Sequence, residues 1–318
     1  MLEQTASPMC AHGSAELPAV TVDSYNVGIR DKQGYLGDRA TKSAFREILE
    51  HWRKPLRTGG RDPLGKVPSD RLSKRTLDRA LESADPEVAG VLQGAIEDFA
   101  QTLACVIRRL LELKAWRDTE RAVIGGGLRA THVGERIIGR TGVILATEGP
   151  KVELVPVHHD PDEAGLIGAV HLVPSWALKG HDAILAADIG GTNIRAGIVT
   201  LDLKRAPDLS KAAVRTIELW RHADEEPSRE QAVDELGRML RKLAVRARKE
   251  RLRLAPFIGI GCPGRIEEDG SIARGAQNLP GDWESKSFNL PARLVEAMPD
   301  RARHETVVLM HNDAVVQA

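Results

Sequence analysis

The chain has 318 residues, 42% of them hydrophobic, and its 45 basic side chains balance its 45 acidic ones. A chain of this length most simply forms two domains, and balanced charge gives no overall field that would attract nucleic acid or an anionic membrane. Aromatic residues make up only 3%, the three cysteines are scattered, and no apolar run approaches the length of a membrane span. These features argue against a base-stacking surface, a disulfide framework and a zinc cluster, and they predict a soluble cytoplasmic protein without a signal peptide.

The first half of the chain alternates helical and extended patterns. Residues 1–20 mix small residues with proline and have no periodicity, which predicts a flexible tail. The strongest helical signal runs from Asp85 to Trp116, where an Asp-Pro-Glu start is followed by one wide apolar face. In chain order we predict a strand over 20–29, a helix over 44–52, a surface loop over 53–70, this long helix, a strand over 121–124, a helix over 133–145, a strand over 152–157 and a helix over 163–172.

Three glycines, Gly125, Gly126 and Gly127, follow the strand predicted at 121–124. Residues 125–130 formally fit the G-x-G-x-x-A dinucleotide fingerprint, with Glu148 near the place of an acidic ribose ligand. The apolar run before the glycines is short, however, and Glu148 is followed by Gly-Pro instead of closing a strand. The alternative is a strand-to-helix corner on which an adenine ring lies flat.

The second half opens, after a connector over 173–182, with the sequence AILAADIGGTNIRAGIVT at 183–200. Its two apolar runs predict two strands joined by a glycine turn, and an ordinary hairpin turn is the plain alternative. Gly190 and Gly191 would let backbone N–H groups approach a phosphate, and Thr192 adds a hydroxyl donor. Asp188, at the mouth of the turn, would hold the water shell of Mg²⁺.

The remaining pattern completes a β-β-β-α-β-α-β order. A basic stretch ends the long helix, where cations are favoured, so we interpret it as a solvated face. The predicted elements are a strand over 213–220, a helix over 228–252, a strand over 257–261, a hairpin over 265–274, a polar loop over 277–283, a helix over 290–298 and a buried strand over 306–310 that ends in His311, Asn312 and Asp313.

Several of these segments resemble motifs of the ROK family of sugar kinases, in the hexokinase–actin superfamily. DIGGTNIRAGIV resembles the family's first phosphate motif, GIGCPGRIEEDGSIARGAQNLPGDW its sugar-binding stretch, and VVLMHNDAVVQA its catalytic Asn-Asp stretch. AVIGGGL and DEAGLIGAVHL resemble the adenosine motif and the closing helix, which the family carries near its C-terminus but which here precede DIGGTN. The resemblance therefore implies an α/β, actin-like ATPase (ribonuclease H-like) fold with two lobes in permuted order, and a tandem-repeat fragment is the alternative.

This order implies four segments: a flexible tail at 1–20, a C-terminal-lobe-like segment at 21–172, a linker at 173–182 and an N-terminal-lobe-like ATPase domain at 183–318. The resemblance further implies an ATP-dependent kinase that uses Mg²⁺ and phosphorylates a hexose or amino sugar. It leaves a homodimer open and implies no membrane or nucleic-acid partner. In this assignment Asp313 is the general base, Asp188 holds Mg²⁺ through water, Gly190, Gly191, Thr192 and Asn193 bind phosphate, Gly125, Gly126 and Gly127 bind adenosine, and Gly264, Asn278 and Asn312 bind the sugar.

The chain also departs from the family pattern. The zinc-binding Cys/His segment is absent, His158 and His159 are adjacent and read as surface residues, and we expect no zinc site. The family carries a second phosphate loop after the catalytic Asp, and this chain stops at Ala318. We therefore expect a truncation of a longer product, in which the missing loop would weaken ATP binding and could abolish activity. A ROK-type sugar-sensing regulator or a catalytically dead relative are the other readings, although the basic segment 68–83 lacks a helix-turn-helix pattern.

Overall fold

The computed structural model describes residues 11–24, 28–32, 34–127, 129, 131–149, 151–298 and 306–318. They form two compact units: unit 1 comprises the described parts of Met1–Asn26 and Asp162–Ala318, and unit 2 comprises those of Val27–Pro161. The boundary at residue 161 differs from the predicted linker at 173–182, because residues 164–172 pack onto the sheet of unit 1. No helix within the described ranges is long and apolar enough to cross a membrane.

Unit 2 is built mainly from helices. Asp85 caps the longest of them by accepting a hydrogen bond from the Glu87 N–H group, and the apolar face of this helix packs against three neighbouring helices, with Phe99 against Phe45. The elements in chain order are β1 (Arg30–Asp31), β2 (Gly34–Tyr35), α1 (Lys42–Thr58), α2 (Lys74–Leu81), α3 (Pro86–Leu111), β3 (Arg121–Ile124), α4 (His132–Glu148) and β4 (Glu153–Pro156).

Strands β3 and β4 are parallel and are joined by α4, so they form a small βαβ unit. The prediction of β3 at 121–124 is confirmed. The predicted strand over 20–29 is not formed in its described residues, which make a single bridge from Thr21 to Glu16, and residues 25–27 lie outside the described ranges. Helix α2, within the basic segment 68–83, buries Leu77 and Ala80 in the core of unit 2.

The predicted surface loop over 53–70 is wrong at its start, because α1 continues through Pro55 to Thr58. The segment after α1 is held close to the helix by Arg53. Its guanidinium is fully buried, contacts Asp62, and donates hydrogen bonds to the carbonyl oxygens of Gly65 and Val67 at 2.9 and 2.8 Å. The buried arginine thus ties the exposed turn at Gly65 and Val67 to the end of α1.

Unit 1 contains a five-stranded mixed sheet with a layer of helices on each face, which confirms the α/β class. The strand order is β11-β8-β5-β6-β7; β5, β6 and β7 are antiparallel neighbours, whereas β8 lies parallel to β5 and β11 parallel to β8. The elements in chain order are α5 (Ala164–Gly168), β5 (Ala183–Ile189), β6 (Ile194–Thr200), β7 (Ala213–Trp220), α6 (Arg229–Lys249), β8 (Leu254–Cys262), β9 (Arg265–Ile266), β10 (Ile272–Arg274), α7 (Leu290–Ala297), β11 (Val307–Asn312) and α8 (Asp313–Gln317).

Strand β5 is buried on both faces, as its continuous apolar run predicts. Leu185 and Ala187 face the cluster that contains α6 and α7, while Ile184 and Ala186 face the cluster that contains α5 and Val316 of α8. The helix predicted from Ser228 is confirmed and begins with a capping box. Because β5, β8 and β11 are parallel, their carboxyl ends meet at one edge of the sheet, where ligands of α/β proteins collect.

Candidate active site

The turn between β5 and β6 contains the residues predicted to bind phosphate. It is closed by a hydrogen bond from the Gly190 N–H group to the Asn193 carbonyl oxygen at 2.9 Å, and the Gly190 carbonyl oxygen lies 2.8 Å from Nε2 of the buried His222. Gly191 and Thr192 are exposed, and within the described part of the chain their amide groups donate to no acceptor. The turn therefore presents two neighbouring N–H groups to a ligand, as an anion site requires.

Gly191 lies against Asn278, so the predicted phosphate and sugar residues are brought together. A Cβ atom at position 191 would lie 2.9 Å from the Asn278 Cβ atom, whereas one at position 190 would have no atom closer than 3.5 Å. The loop that carries Asn278 is anchored by Trp283, which is 1% exposed and donates from Nε1 to the Pro280 carbonyl oxygen at 2.8 Å. Gly191 is thus the glycine of the pair that packing requires.

Asp188 is placed near the end of β5, where it is 2% exposed. Its carboxylate pairs with Nη1 of Arg195 at 3.2 Å and accepts a hydrogen bond from Nε2 of Gln317 at 3.3 Å. A Cβ atom on Gly165 of α5 would lie 2.7 Å from the carboxyl carbon, so this glycine lets the helix close over the acid. Burial raises the pKa of Asp188, and the charge of Arg195 opposes that rise.

Asp313 follows β11 directly and is the first residue of α8. Burial, reinforced by the negative charge of Asp188, raises the pKa of Asp313 to about 6. The two acids flank Gly261 of β8: a Cβ atom there would lie 3.5 Å from Oδ1 of Asp188 and 3.6 Å from the Cα atom of Asp313. A carboxylate whose pKa lies near 6 is suited to accept a proton at neutral pH.

Asn312 and Gly264 are also brought to this edge of the sheet. The Asn312 side chain donates from Nδ2 to the Gly264 carbonyl oxygen at 3.0 Å and accepts from the Ala314 N–H group at 3.1 Å, so it caps α8. Gly264 has φ of +106°, and a Cβ atom there would lie 2.7 Å from the Arg274 carbonyl oxygen. Each of these two groups can form one more hydrogen bond. Nδ2 of Asn312 has a second N–H, and the Gly264 carbonyl oxygen has a second lone pair.

The donor set at this edge suits Mg²⁺ in kind. Asp188 and Asp313 provide hard carboxylate oxygens, and the repulsion between them is what a divalent cation would relieve. Among the described residues, no group of three or more His, Cys, Asp or Glu side chains is arranged to hold a metal ion. Mg²⁺ is commonly held by one or two carboxylates together with substrate phosphates and water.

The glycines predicted to bind adenosine lie in unit 2, between β3 and α4. Gly126 has φ of +83°, a backbone conformation that favours glycine. Gly125, Gly126 and Gly127 border a cavity of about 170 Å³ that is lined mainly by apolar side chains, including Phe99 and Ile137. This βαβ corner accommodates both predicted alternatives, the adenine platform and the dinucleotide fingerprint, and residues 128 and 130 of that fingerprint lie outside the described ranges.

Three residues that contact Asp188 were not singled out from the sequence. Arg195 sits directly opposite Asp188 in the antiparallel register of β5 and β6, which a four-residue hairpin turn could have indicated. Gly165 and Gln317 reach the acid only through tertiary packing of α5 and α8. Arg195 also pairs with Asp162 at 2.6 Å, so one cation links two carboxylates.

Comparison with known proteins gives limited similarity. No family model and no curated protein matches the chain. Solved structures that resemble part of it include a ROK hexokinase from Thermus thermophilus (23% identity, TM-score 0.29), a candidate N-acetylmannosamine kinase from Listeria monocytogenes (20%, 0.27) and a candidate sugar kinase from Cytophaga hutchinsonii (20%, 0.26). Each match covers 42% of this chain and 35% or 36% of the solved one, so the chain spans about a third of their length. Because these TM-scores are low, the fold is assigned from the sheet topology given above and not from these matches.

Proposed function

We propose that this chain carries the phosphate-binding and sugar-binding parts of an ATP-dependent kinase that phosphorylates a hydroxyl group of a hexose or amino sugar. One observation carries the proposal: Asp188 and Asp313 flank Gly261 at the ends of parallel strands, in the same unit as an exposed glycine turn that packs on Asn278. Two carboxylates of raised pKa beside an anion-binding turn suit phosphoryl transfer, which needs positioning and charge neutralisation more than covalent chemistry.

Asp313 would act as the general base. With a pKa of about 6 it is mostly ionised at pH 7 and still basic enough to accept the proton of an attacking sugar hydroxyl. Asn278, Asn312 and the Gly264 carbonyl group would hold other hydroxyls of the sugar. A sugar that left these polar groups unpaired would be rejected, because each lost hydrogen bond in a closed site is costly.

The phosphates of ATP would be held by unit 1. The amides of Gly191 and Thr192 would bind phosphate oxygens, and Asn193 closes the turn that presents them. Asp188 would hold Mg²⁺ through water, and the ion, when bound, neutralises charge on the phosphates. Taken by itself, the glycine corner of unit 2 at Gly125, Gly126 and Gly127 is proposed as an adenosine-binding element.

We also propose the permuted order of an actin-like ATPase, with the C-terminal-lobe-like segment at 21–172 written before the ATPase domain at 183–318. Support comes from α5, which packs directly on β5 and α8. A Cβ atom on Gly165 would lie 2.7 Å from the Asp188 carboxyl carbon, and one on Gly168 would lie 1.6 Å from the Val316 carbonyl oxygen. Segments packed this closely can be joined by a short connector without disturbing either, which is how permutation is tolerated.

The test is coupled ADP release by the chain over a panel of hexoses and N-acetylhexosamines, with ATP and Mg²⁺. Sugar-dependent release that Asp313→Asn abolishes would support the mechanism. Asp234→Asn is the matched control, because Asp234 is an exposed carboxylate on α6 away from the site, and it should leave turnover unchanged.

Two results would contradict the proposal. Turnover that survives Asp313→Asn would remove the general base assigned here. No turnover and no ATP binding by isothermal titration calorimetry, with a correctly folded chain, would reject the kinase assignment for this chain.

A further inference from the structure

The segment His12–Ser14 lies along the free edge of β11, the outermost strand of the sheet in unit 1. The Gly13 N–H group donates to the Met310 carbonyl oxygen at 3.0 Å, and the Met310 N–H group donates to Nδ1 of His12 at 3.1 Å. Nε2 of His311 lies 3.0 Å from the Ser14 carbonyl oxygen. The segment, called the strap below, therefore covers an edge that would otherwise present unpaired backbone groups. It also places residues 11–14 of the predicted flexible tail against the sheet.

His311 connects the strap to the start of α8. Its Nδ1 atom accepts a hydrogen bond from the Asn312 N–H group at 2.8 Å, so the ring proton is assigned to Nε2, which then donates to the strap. Asn312 in turn holds the Gly264 carbonyl oxygen and the Ala314 N–H group. Asp313 is therefore fixed between a capped helix start and a strand edge, both of which depend on these hydrogen bonds.

The strap can pack against the sheet only with a glycine at position 13. Gly13 has φ of +56°, and a Cβ atom there would lie 2.1 Å from the Ile266 carbonyl oxygen, a backbone atom that cannot rotate away. Substitution of Gly13 by alanine would therefore lift the strap from β11 without altering any side chain of the candidate site. Gly180 offers a matched control in the same unit, because its φ is +86° but no atom lies within 4 Å of its Cβ position.

We propose that the strap positions the candidate general base, and that His311 is the positioning residue that connects the bound strap to Asp313. Neither the strap nor His311 touches the reacting groups. They hold the start of α8 so that the Asp313 carboxylate stays at the edge of the sheet beside Gly261. The expected effect on catalysis rests on the proposed function, whereas the expected effect on the order of residues 307–318 does not.

Two measurements on the full chain test the proposal. Hydrogen exchange followed by mass spectrometry reports the protection of amides in the peptide 307–318, and steady-state kinetics report kcat and KM for sugar phosphorylation. For Gly13→Ala we expect exchange in this peptide to rise about tenfold. We expect kcat to fall about tenfold or more, with the KM for ATP unchanged within about twofold, because a base displaced by about 1 Å slows chemistry but leaves ATP binding alone. Gly180→Ala should match the wild type in both measurements.

Variants at His311 separate positioning from packing. Leucine and glutamine are similar in volume, but only glutamine can still donate to the Ser14 carbonyl oxygen. We therefore expect His311→Leu to reproduce the effects of Gly13→Ala, and His311→Gln to recover part of the protection and part of kcat. Equal losses in both variants would show that His311 only fills space and would overturn its role.

The outcomes distinguish this inference from the kinase proposal. Unchanged exchange in 307–318 for Gly13→Ala would overturn the strap, and raised exchange with unchanged kcat would overturn its positioning role. If the wild-type chain neither turns over a sugar nor binds ATP, the kinase proposal fails. Hydrogen exchange in 307–318 then tests the strap by itself. Faster exchange in Gly13→Ala but not in Gly180→Ala would support the strap, and equal exchange in the two variants would refute it.

Discussion

Removing the negative charge of Asp313 should stabilise the folded protein at neutral pH. The pKa of this carboxylate is about 6 in the fold, against an ordinary value of 3.8, because burial and the charge of Asp188 disfavour ionisation. One pKa unit corresponds to about 1.36 kcal/mol, so ionising Asp313 costs the folded state at most about 3 kcal/mol. Asp313→Asn keeps the side-chain oxygen that accepts from the Ala314 N–H group at 2.9 Å and removes this cost.

The sign of the pH dependence follows from the raised pKa. Well below pH 4, Asp313 is protonated in both the folded and the unfolded chain, and wild type and Asp313→Asn should be equally stable. As the pH rises from about 4 through about 6, the unfolded chain ionises first and the folded wild type loses stability. We therefore expect Asp313→Asn to raise the free energy of unfolding by about 1–3 kcal/mol at pH 7.5 and by only about 0.5 kcal/mol at pH 4.

Urea denaturation followed by circular dichroism at pH 4, 5, 6 and 7.5 measures this difference. Asp234→Asn, which removes an exposed carboxylate of α6, should change the unfolding free energy by less than about 0.5 kcal/mol at every pH. A difference between wild type and Asp313→Asn that is absent at pH 7.5, or equally large at pH 4, would refute the assigned charge environment of Asp313.

Three further substitutions test the packing that supports the site. Gly168→Ala should lower the unfolding free energy by about 1–3 kcal/mol and the melting temperature by several degrees, because its Cβ atom would lie 1.6 Å from the Val316 carbonyl oxygen. Arg195→Met should cost about 3 kcal/mol or more in urea titrations, because it leaves Asp188 buried without its cation. Arg53→Met should destabilise unit 2 by a similar amount, seen as faster hydrogen exchange in peptides from 42–70, because it removes the fully buried cation that pairs with the buried Asp62 carboxylate.

Matched variants control for these three. Gly180→Ala replaces a glycine with open space around its Cβ position and should cost less than Gly168→Ala. Arg205→Met removes an exposed arginine that pairs with Asp202 at 3.1 Å, and we expect a change below about 1 kcal/mol. Controls as damaging as the test variants would show that these costs do not arise from burial.

Local patterns predicted most of the sheet of unit 1. The run Ala183–Ile189 is apolar at every position except Asp188, and such a run between turn residues is the mark of a strand buried on both faces. The register of β5 and β6 then follows from the four-residue turn, and the acid that interrupts the run falls at the candidate site. The residue pattern contains this information because each interaction spans only a few positions.

Contacts between distant segments could not be predicted in the same way. Helix α5 has five residues, too short for its periodicity to show which glycine must face Asp188. A proline normally marks the end of a helix, yet α1 continues past Pro55 to Thr58. The chain that follows is held by Arg53, which donates to the Gly65 carbonyl oxygen. Residues 11–14 have no strand pattern at all, and they pair with β11 only because an edge strand is available there.

The strap has a consequence for the order in which the protein is completed during synthesis. His12 and Met310 are separated by 298 positions, and all of unit 2 lies between them in the sequence. At about 5–20 residues per second, His12 is synthesised roughly 15–60 s before Met310. Unit 2 is contiguous and can assemble within that interval, whereas the edge of β11 must wait. The start of α8 therefore receives hydrogen bonds from residues that are synthesised long before it, and Asp313 is fixed only after unit 2 has been made.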